Sequence, residues 1–174
     1  MSVATRLVTA DDVPALVDLM RANREFLAPW EPLRTDEFFT LEYQDTAVAE
    51  ALKQHELGTV LPHLILDDGE IVGRITLNNI VRGPLQSAKL GCWVAADANG
   101  RGVASAAVAA MVPVAFDELG LHRVAAATLL HNVRSQRVLE RNGFVRFGVA
   151  PRYLQIAGVY QDHALYQRLA DDPH

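Results

Sequence analysis

One cysteine, Cys92, stands in a chain of 174 residues, so no internal disulfide can form. No set of Cys and His residues at ligand spacing occurs, which removes the usual zinc patterns and leaves a metal-free protein as the expectation. No apolar stretch reaches about 18 residues, and Met1-Ser2-Val3-Ala4-Thr5-Arg6 leads into alternating sequence, so neither a membrane span nor an export leader is expected. A reducing cytoplasm is the simplest expected location. Positive charge is also short: 16 Lys and Arg against 21 Asp and Glu give a net charge of -5. Phosphate backbones attract clustered cations, so direct nucleic-acid binding is disfavoured and a positively charged acceptor fits better.

What is present is the material of a folded domain. Hydrophobic residues make up 50% and charged residues 21% of the chain, proportions of a globular protein rather than a disordered one. The length suits one domain over residues 1–174. Thr5 to Val8 reads as a first strand, and Thr9-Ala10-Asp11-Asp12 supplies N-cap chemistry before Val13, Leu16, Val17 and Met20 at helical spacing. An aromatic loop with two prolines, Arg24 to Pro32, precedes a second helical pattern from Thr35 to His55. Leu61–Leu66 and Ile71–Ile80 are strand-like runs joined by Asp67-Asp68-Gly69-Glu70, whose Asp-Gly pair signals a hairpin. Ala88–Val94 is a further strand. A helix rich in Ala and Val then runs from about Gly102 to Leu119, kinked by Pro113 and stopped by Gly120. A strand from His122 to Leu130, a helix from Asn132 to the Asn142-Gly143 terminator and two long strands parted near Gly158 complete an α/β order with a sheet of mixed direction. The edge near those last strands suits a homodimer.

Between the fourth strand and the Ala/Val helix lies Asn99-Gly100-Arg101-Gly102-Val103-Ala104-Ser105. A glycine-bearing turn that opens a helix presents unpaired N–H groups backed by the positive end of the helix dipole, which is an anion site. Gly100, Gly102 and Ala104 permit close approach of a pyrophosphate, Ser105 offers a hydroxyl and Arg101 a charge. A dinucleotide fingerprint would need a third glycine where Ser105 stands, and an ATP-type loop would need a lysine that the segment lacks.

Asn99, Gly102 and Ala104 occupy the three key positions of a segment that resembles the Gln/Arg-x-x-Gly-x-Gly/Ala motif of the GNAT acetyltransferases, with Asn99 in place of Gln or Arg. Leu90 to Val94, Asn132 to Ser135, Val138 to Phe144, Asn23 to Pro32 and Tyr160 to His163 extend the resemblance, in family order, to the RimJ/RimL-like branch, which comprises ribosomal-protein alanine or serine N-acetyltransferases. The resemblance implies the acyl-CoA N-acyltransferase fold, a mixed, mostly antiparallel sheet of about seven strands flanked by four helices. It also implies acetyl-CoA as cosubstrate and an amine as acceptor. A ribosomal-protein N-terminus is the leading acceptor, a small-molecule amine (antibiotic, amino acid or polyamine) the alternative, and a noncatalytic CoA-binding module the other class.

By that resemblance Trp93, Val94 and Ala95 contact pantetheine through the backbone, or else only pack the core. The amides of Gly100 to Ser105 hold the pyrophosphate. Asn132 contacts CoA or merely caps its helix. Leu139 stands where many GNAT enzymes carry an acidic tyrosine, so Ser135, one turn beyond Asn132, becomes the candidate general acid toward the leaving thiolate. Its other reading is an ordinary helix-surface serine. Trp30 and Glu31 are placed at the acceptor cleft, Trp30 packing between helices being the alternative. Asp162, His163 and His63 are candidates for a proton relay or for orienting the acceptor, and Lys89 replaces a glutamate frequent in relatives.

Overall fold

A computed structural model describes residues 2–172. Seven strands form one sheet in the order β1-β2-β3-β4-β5-β7-β6. They are β1 (Val3–Leu7), β2 (Leu61–Asp67), β3 (Glu70–Val81), β4 (Ser87–Val94), β5 (Arg123–Leu129), β6 (Val145–Ile156) and β7 (Val159–Leu169). Every neighbouring pair is antiparallel except β4 and β5. The β2–β3 turn puts Asp68 and Gly69 at φ of 50° and 90°, the primed geometry that matches strand twist and that an Asp-Gly pair adopts readily.

Both faces of the sheet are covered over its central strands, as adjacent Leu64 and Ile65 on β2 make plain: each is fully buried, on opposite sides. Helices α1 (Val13–Ala22) and α3 (Leu41–Glu56) cover one face through Val13, Leu16, Val17 and Val48, joined by Phe39 from the turn ahead of α3. On the other, α4 (Val103–Pro113) places Ala107, Val108 and Met111 against Ile75, Leu77 and Tyr166. The small side chains of α4 let it lie close to the sheet. The remaining helix in that layer is α5 (Val133–Arg141).

Three expectations change in detail. The described residues hold five α-helices rather than four, because the aromatic loop contains a single turn, α2 (Arg24–Leu27), followed by a 3-10 turn over Ala28–Trp30. The helix expected from Thr35 begins as a 3-10 turn, Asp36–Phe39, and restarts at Leu41 with Thr40 capping Tyr43 N at 3.2 Å. The long Ala/Val helix ends at Pro113 and continues as a π turn, Val114–Glu118. Proline has no N–H to give, so the ladder widens there instead of merely bending.

The start of α1 carries a dense cap. Asp12 accepts two hydrogen bonds from Arg6, at 2.7 and 2.8 Å, and one from Thr9 N at 2.8 Å. The Arg6 bonds, then the Thr9 amide, pull the Asp12 carboxyl down to about 2. Because this folded value lies below the ordinary one near 3.9, the stabilisation is complete above about pH 4 and disappears as the pH falls through about 2. Arg6 is 43% exposed, so solvent screening limits the effect. Asp12→Asn is expected to cost about 1–2 kcal/mol at neutral pH. Urea titrations of parent and variant should converge near pH 2, and a difference that persists there would contradict the linkage.

Candidate active site

The parallel pair β4–β5 is joined at only three positions, Ser87–Arg123, Ala88–Val124 and Lys89–Ala125. Beyond Lys89 each strand pairs only on its outer side, β4 with β3 as far as Val94 and β5 with β7 as far as Leu129. A register slip between Asn78 and Val81 of β3, with Asn79 at φ 48°, bends the sheet where this fork begins. The fork opens a cleft of about 400 Å³. Arg74, Thr76 and Asn78 of β3 and Gly91, Cys92 and Trp93 of β4 form its floor; Ala127, Thr128 and Leu129 of β5 form a side, continued by Asn132 and Ser135 at the head of α5.

The opposite wall is the aromatic loop. Trp30, Glu31 and Arg34 line the cleft with Phe38 and Phe39. Asn23 ties this wall to the sheet, its side-chain oxygen accepting from Ala96 N at 2.8 Å beyond the end of β4. Trp30 reaches the other side, its ring 5.6 Å from that of His131. Leu154, Ile156 and His163 close the cleft from the β6–β7 hairpin. The hairpin reaches over because β6 slips register between Ala150 and Leu154, with Arg152 at φ 48°, and its turn docks by Ala157 N donating to Glu31 O at 3.0 Å.

Charge in the cleft is shaped by enclosure. Desolvation raises the pKa of Glu31, opposed by nearby Arg34. Cys92 is reached by solvent, yet the surrounding walls desolvate its thiol and push it up to about 12, so it stays protonated. His163 is buried, and its Nδ1 lies 2.8 Å from Gln161 O. A carbonyl only accepts, so Nδ1 carries the proton and Nε2 is left as the basic nitrogen.

Gly100 and Gly102, at φ of 78° and 83°, turn the chain from the end of β4 into α4. The amides of Gly100 to Ser105 donate to no group among the described residues. They form an open anion cradle at a helix start. The side chains of the loop are otherwise occupied. Asn99 donates to Val94 O and Ala95 O at 3.0 and 2.7 Å, Arg101 pairs with Asp67 at 2.9 Å, and Ser105 Oγ accepts from Asn142 at 3.1 Å. Asn99 thus braces the loop from within. Val103 is buried in the core and Ala104 packs against it.

Of the residues expected from sequence, the cleft brings together Trp30, Glu31, Trp93, Asn132, Ser135 and His163. Asn132 caps α5, Oδ1 accepting from Ser135 N at 3.2 Å. Val94 and Ala95 are buried outside the lining, and the Ala95 amide donates to Val72 O at 2.8 Å. Asp162 is exposed and accepts from Arg152 N at 2.8 Å, holding the β6 irregularity that brings the hairpin over the site. His63, lowered to about 4 chiefly by desolvation, stands on β2 away from the lining residues, 3.2 Å from Thr5 Oγ1. Sequence reasoning missed Arg74 and Thr128. The polar alternation Arg74-Thr76-Asn78 within an apolar strand was the available signal for the first.

A strand fork that ends in an amide cradle fits an extended ligand with an anionic end. Residues 3–145 match the acetyltransferase (GNAT) domain model, and the chain belongs to that family. It is 32% identical over 173 residues to the probable N-acetyltransferase YjcK of Bacillus subtilis, covering 98% of this chain and 96% of that one. It is also 32% identical over 162 residues to the [Ribosomal protein uS5]-alanine N-acetyltransferase of Escherichia coli, covering 92% and 84%. The structure of Mycobacterium smegmatis RimJ in complex with CoA-disulfide superimposes with a TM-score of 0.94 at 33% identity, over 97% of this chain and 82% of that one. The chain is thus an acetyl-CoA-dependent N-acetyltransferase of the RimJ/RimL-like kind.

Proposed function

We propose that the acceptor is the α-amine of a protein N-terminus, of the ribosomal-protein alanine or serine type, acetylated by direct attack in a ternary complex. The observation that carries this reading is the make-up of the cleft: the aromatic loop and the β6–β7 hairpin wall a cleft that Ser135 also lines. The substrate named for the Escherichia coli relative supports it. The amides of Gly100 to Ser105 hold the CoA pyrophosphate, and Trp93 lies along the fork where the pantetheine arm enters. Trp30 and Glu31 orient the incoming peptide. Work on nascent ribosomal proteins belongs in the cytoplasm. The open edge of β6, where Val145, Phe147 and Val149 are exposed, is the surface on which a second copy would pair.

Protonation chemistry agrees with this acceptor. An α-amine has a pKa near 7.7–8.0 against about 10.4 for lysine, so its neutral form is already present at neutral pH and demands little of a base. His163, with Nε2 free, takes the proton that the amine releases, directly or through a water. Ser135 O–H supplies the proton for the departing thiolate as the carbon–sulfur bond breaks. Thiol release should be screened with acetyl-CoA and four acceptor sets: peptides beginning with Ala or Ser, aminoglycosides, free amino acids and polyamines. Peptides are expected to give the highest kcat/KM. Turnover confined to the small amines would refute the N-terminal acceptor.

A further inference from the structure

β3 carries a charge inside a sheet covered on both faces. Arg74 stands opposite Trp93 of β4, between buried Gly73 and Ile75, and lines the cleft floor. Other arginines near the site have partners: Arg101 has Asp67, Arg24 has Asp36, Arg21 donates to Phe39 O, and Arg34 lies over the Phe38 ring at 4.2 Å with Glu31 near it. Arg74 has none. No hydrogen bond or ion pair holds its guanidinium among the described residues. Desolvation alone acts on it, lowering its pKa, with no carboxylate close enough to offset the cost. The group nevertheless stays protonated, because a delocalised guanidinium keeps its charge even when partly desolvated.

Glu31 is the one carboxylate among the lining residues, and Arg34 already neighbours it. The cleft therefore holds an excess cation in a chain whose net charge is -5. A partly desolvated, unpartnered guanidinium is a fork of donors matched to a planar anion, and it gains most from one that enters with the substrate. We propose that Arg74 determines specificity by pairing with a carboxylate that the acceptor carries within a few residues of its reactive amine. This rests on the N-terminal acceptor proposed above and narrows it to peptides with an early acidic residue. It also narrows the expectation, drawn from the net charge of -5, of a positively charged acceptor.

The test scans Asp and Glu against Asn and Gln through the second, third and fourth positions of alanine-led peptides. With the unaltered protein, at least one position should show a preference for the acid on the order of tenfold or more in kcat/KM. Arg74→Gln should abolish that preference, change neutral peptides less than about threefold and leave the KM for acetyl-CoA within about twofold, while Arg74→Lys restores part of it. The peptide scan needs no variant, so it can overturn the proposal even if Arg74→Gln fails to fold, and Arg74→Lys then assigns a preference to this residue by weakening it. Equal rates for acid and amide at every position would overturn the proposal, as would a rise confined to the KM for acetyl-CoA in Arg74→Gln. A preference shown by free amino acids over their amides, with no peptide turned over, would keep the carboxylate contact and refute the N-terminal acceptor. Failure of all these acceptors would overturn both.

Discussion

Gly73→Ala is expected to destabilise the protein by about 3–5 kcal/mol and to weaken acetyl-CoA binding with it. A Cβ at this position would lie 2.2 Å from Trp93 O, 3.1 Å from Val94 Cα and 3.2 Å from Trp93 C. All three are backbone atoms, so no side chain can rotate away. Relief requires β3 to leave β4 at the Gly73–Val94 pair, next to the bond from Ala95 N to Val72 O. That is the point from which the chain enters the anion cradle, so the fork and the helix start would shift together. For a domain of this size the loss corresponds to a fall in melting temperature of roughly 10 °C. Gly91→Ala is the control: its Cβ would meet only Asn78 Nδ2, at 3.5 Å, and folding should be nearly unaffected. Thermal melts with and without acetyl-CoA separate the two, and a Gly73→Ala protein that melts like the parent would show that the strands yield more easily than their packing implies.

How far the amino-acid sequence announced this arrangement depended on the range of the interactions involved. Turns and caps were legible because their causes are local. Asp68-Gly69, Asn142-Gly143 and the Gly102 helix start each place a glycine at positive φ where the chain must reverse or enter a helix. The order of elements followed from periodicity. The duties of the loop side chains were not legible. Arg101, a charge seemingly offered to pyrophosphate, is paired with Asp67 in β2, and the Ser105 hydroxyl accepts from Asn142 at the end of α5. Such partners lie tens of residues away, and no local pattern records them. Asp162 is a similar case, since its bond to Arg152 N depends on an irregularity of β6 that only tertiary packing creates. Arg74 was visible as a charge in a strand, but which face of that strand borders a cleft is settled by the β4–β5 fork and by the hairpin folded over it.

Ser135→Ala is expected to lower kcat by about 100-fold while leaving the KM for acetyl-CoA within about twofold. The hydroxyl belongs to the first turn of α5, whose position is fixed by Asn132 capping Ser135 N at 3.2 Å. Ser135 lines the same cleft as the forked strands, along which the proposed function lays the thioester. A thiolate is a good leaving group, so the acid contributes only at the lower end of what proton transfer can supply, and the cofactor contacts proposed for the loop amides do not involve it. Thr128 is the rival. Its hydroxyl is buried without a hydrogen-bond partner among the described residues and lines the same cleft from β5. Thr128→Val replaces that hydroxyl with a methyl group of similar size, so its effect on turnover reports proton donation rather than packing. If Ser135 is the acid, Thr128→Val keeps kcat within a few fold, and Ser135→Thr, which retains a hydroxyl, recovers part of the loss in Ser135→Ala. Turnover that survives in Ser135→Ala and collapses in Thr128→Val would move the proton donor from α5 to β5, leaving the cradle, the fork and the acceptor wall in place.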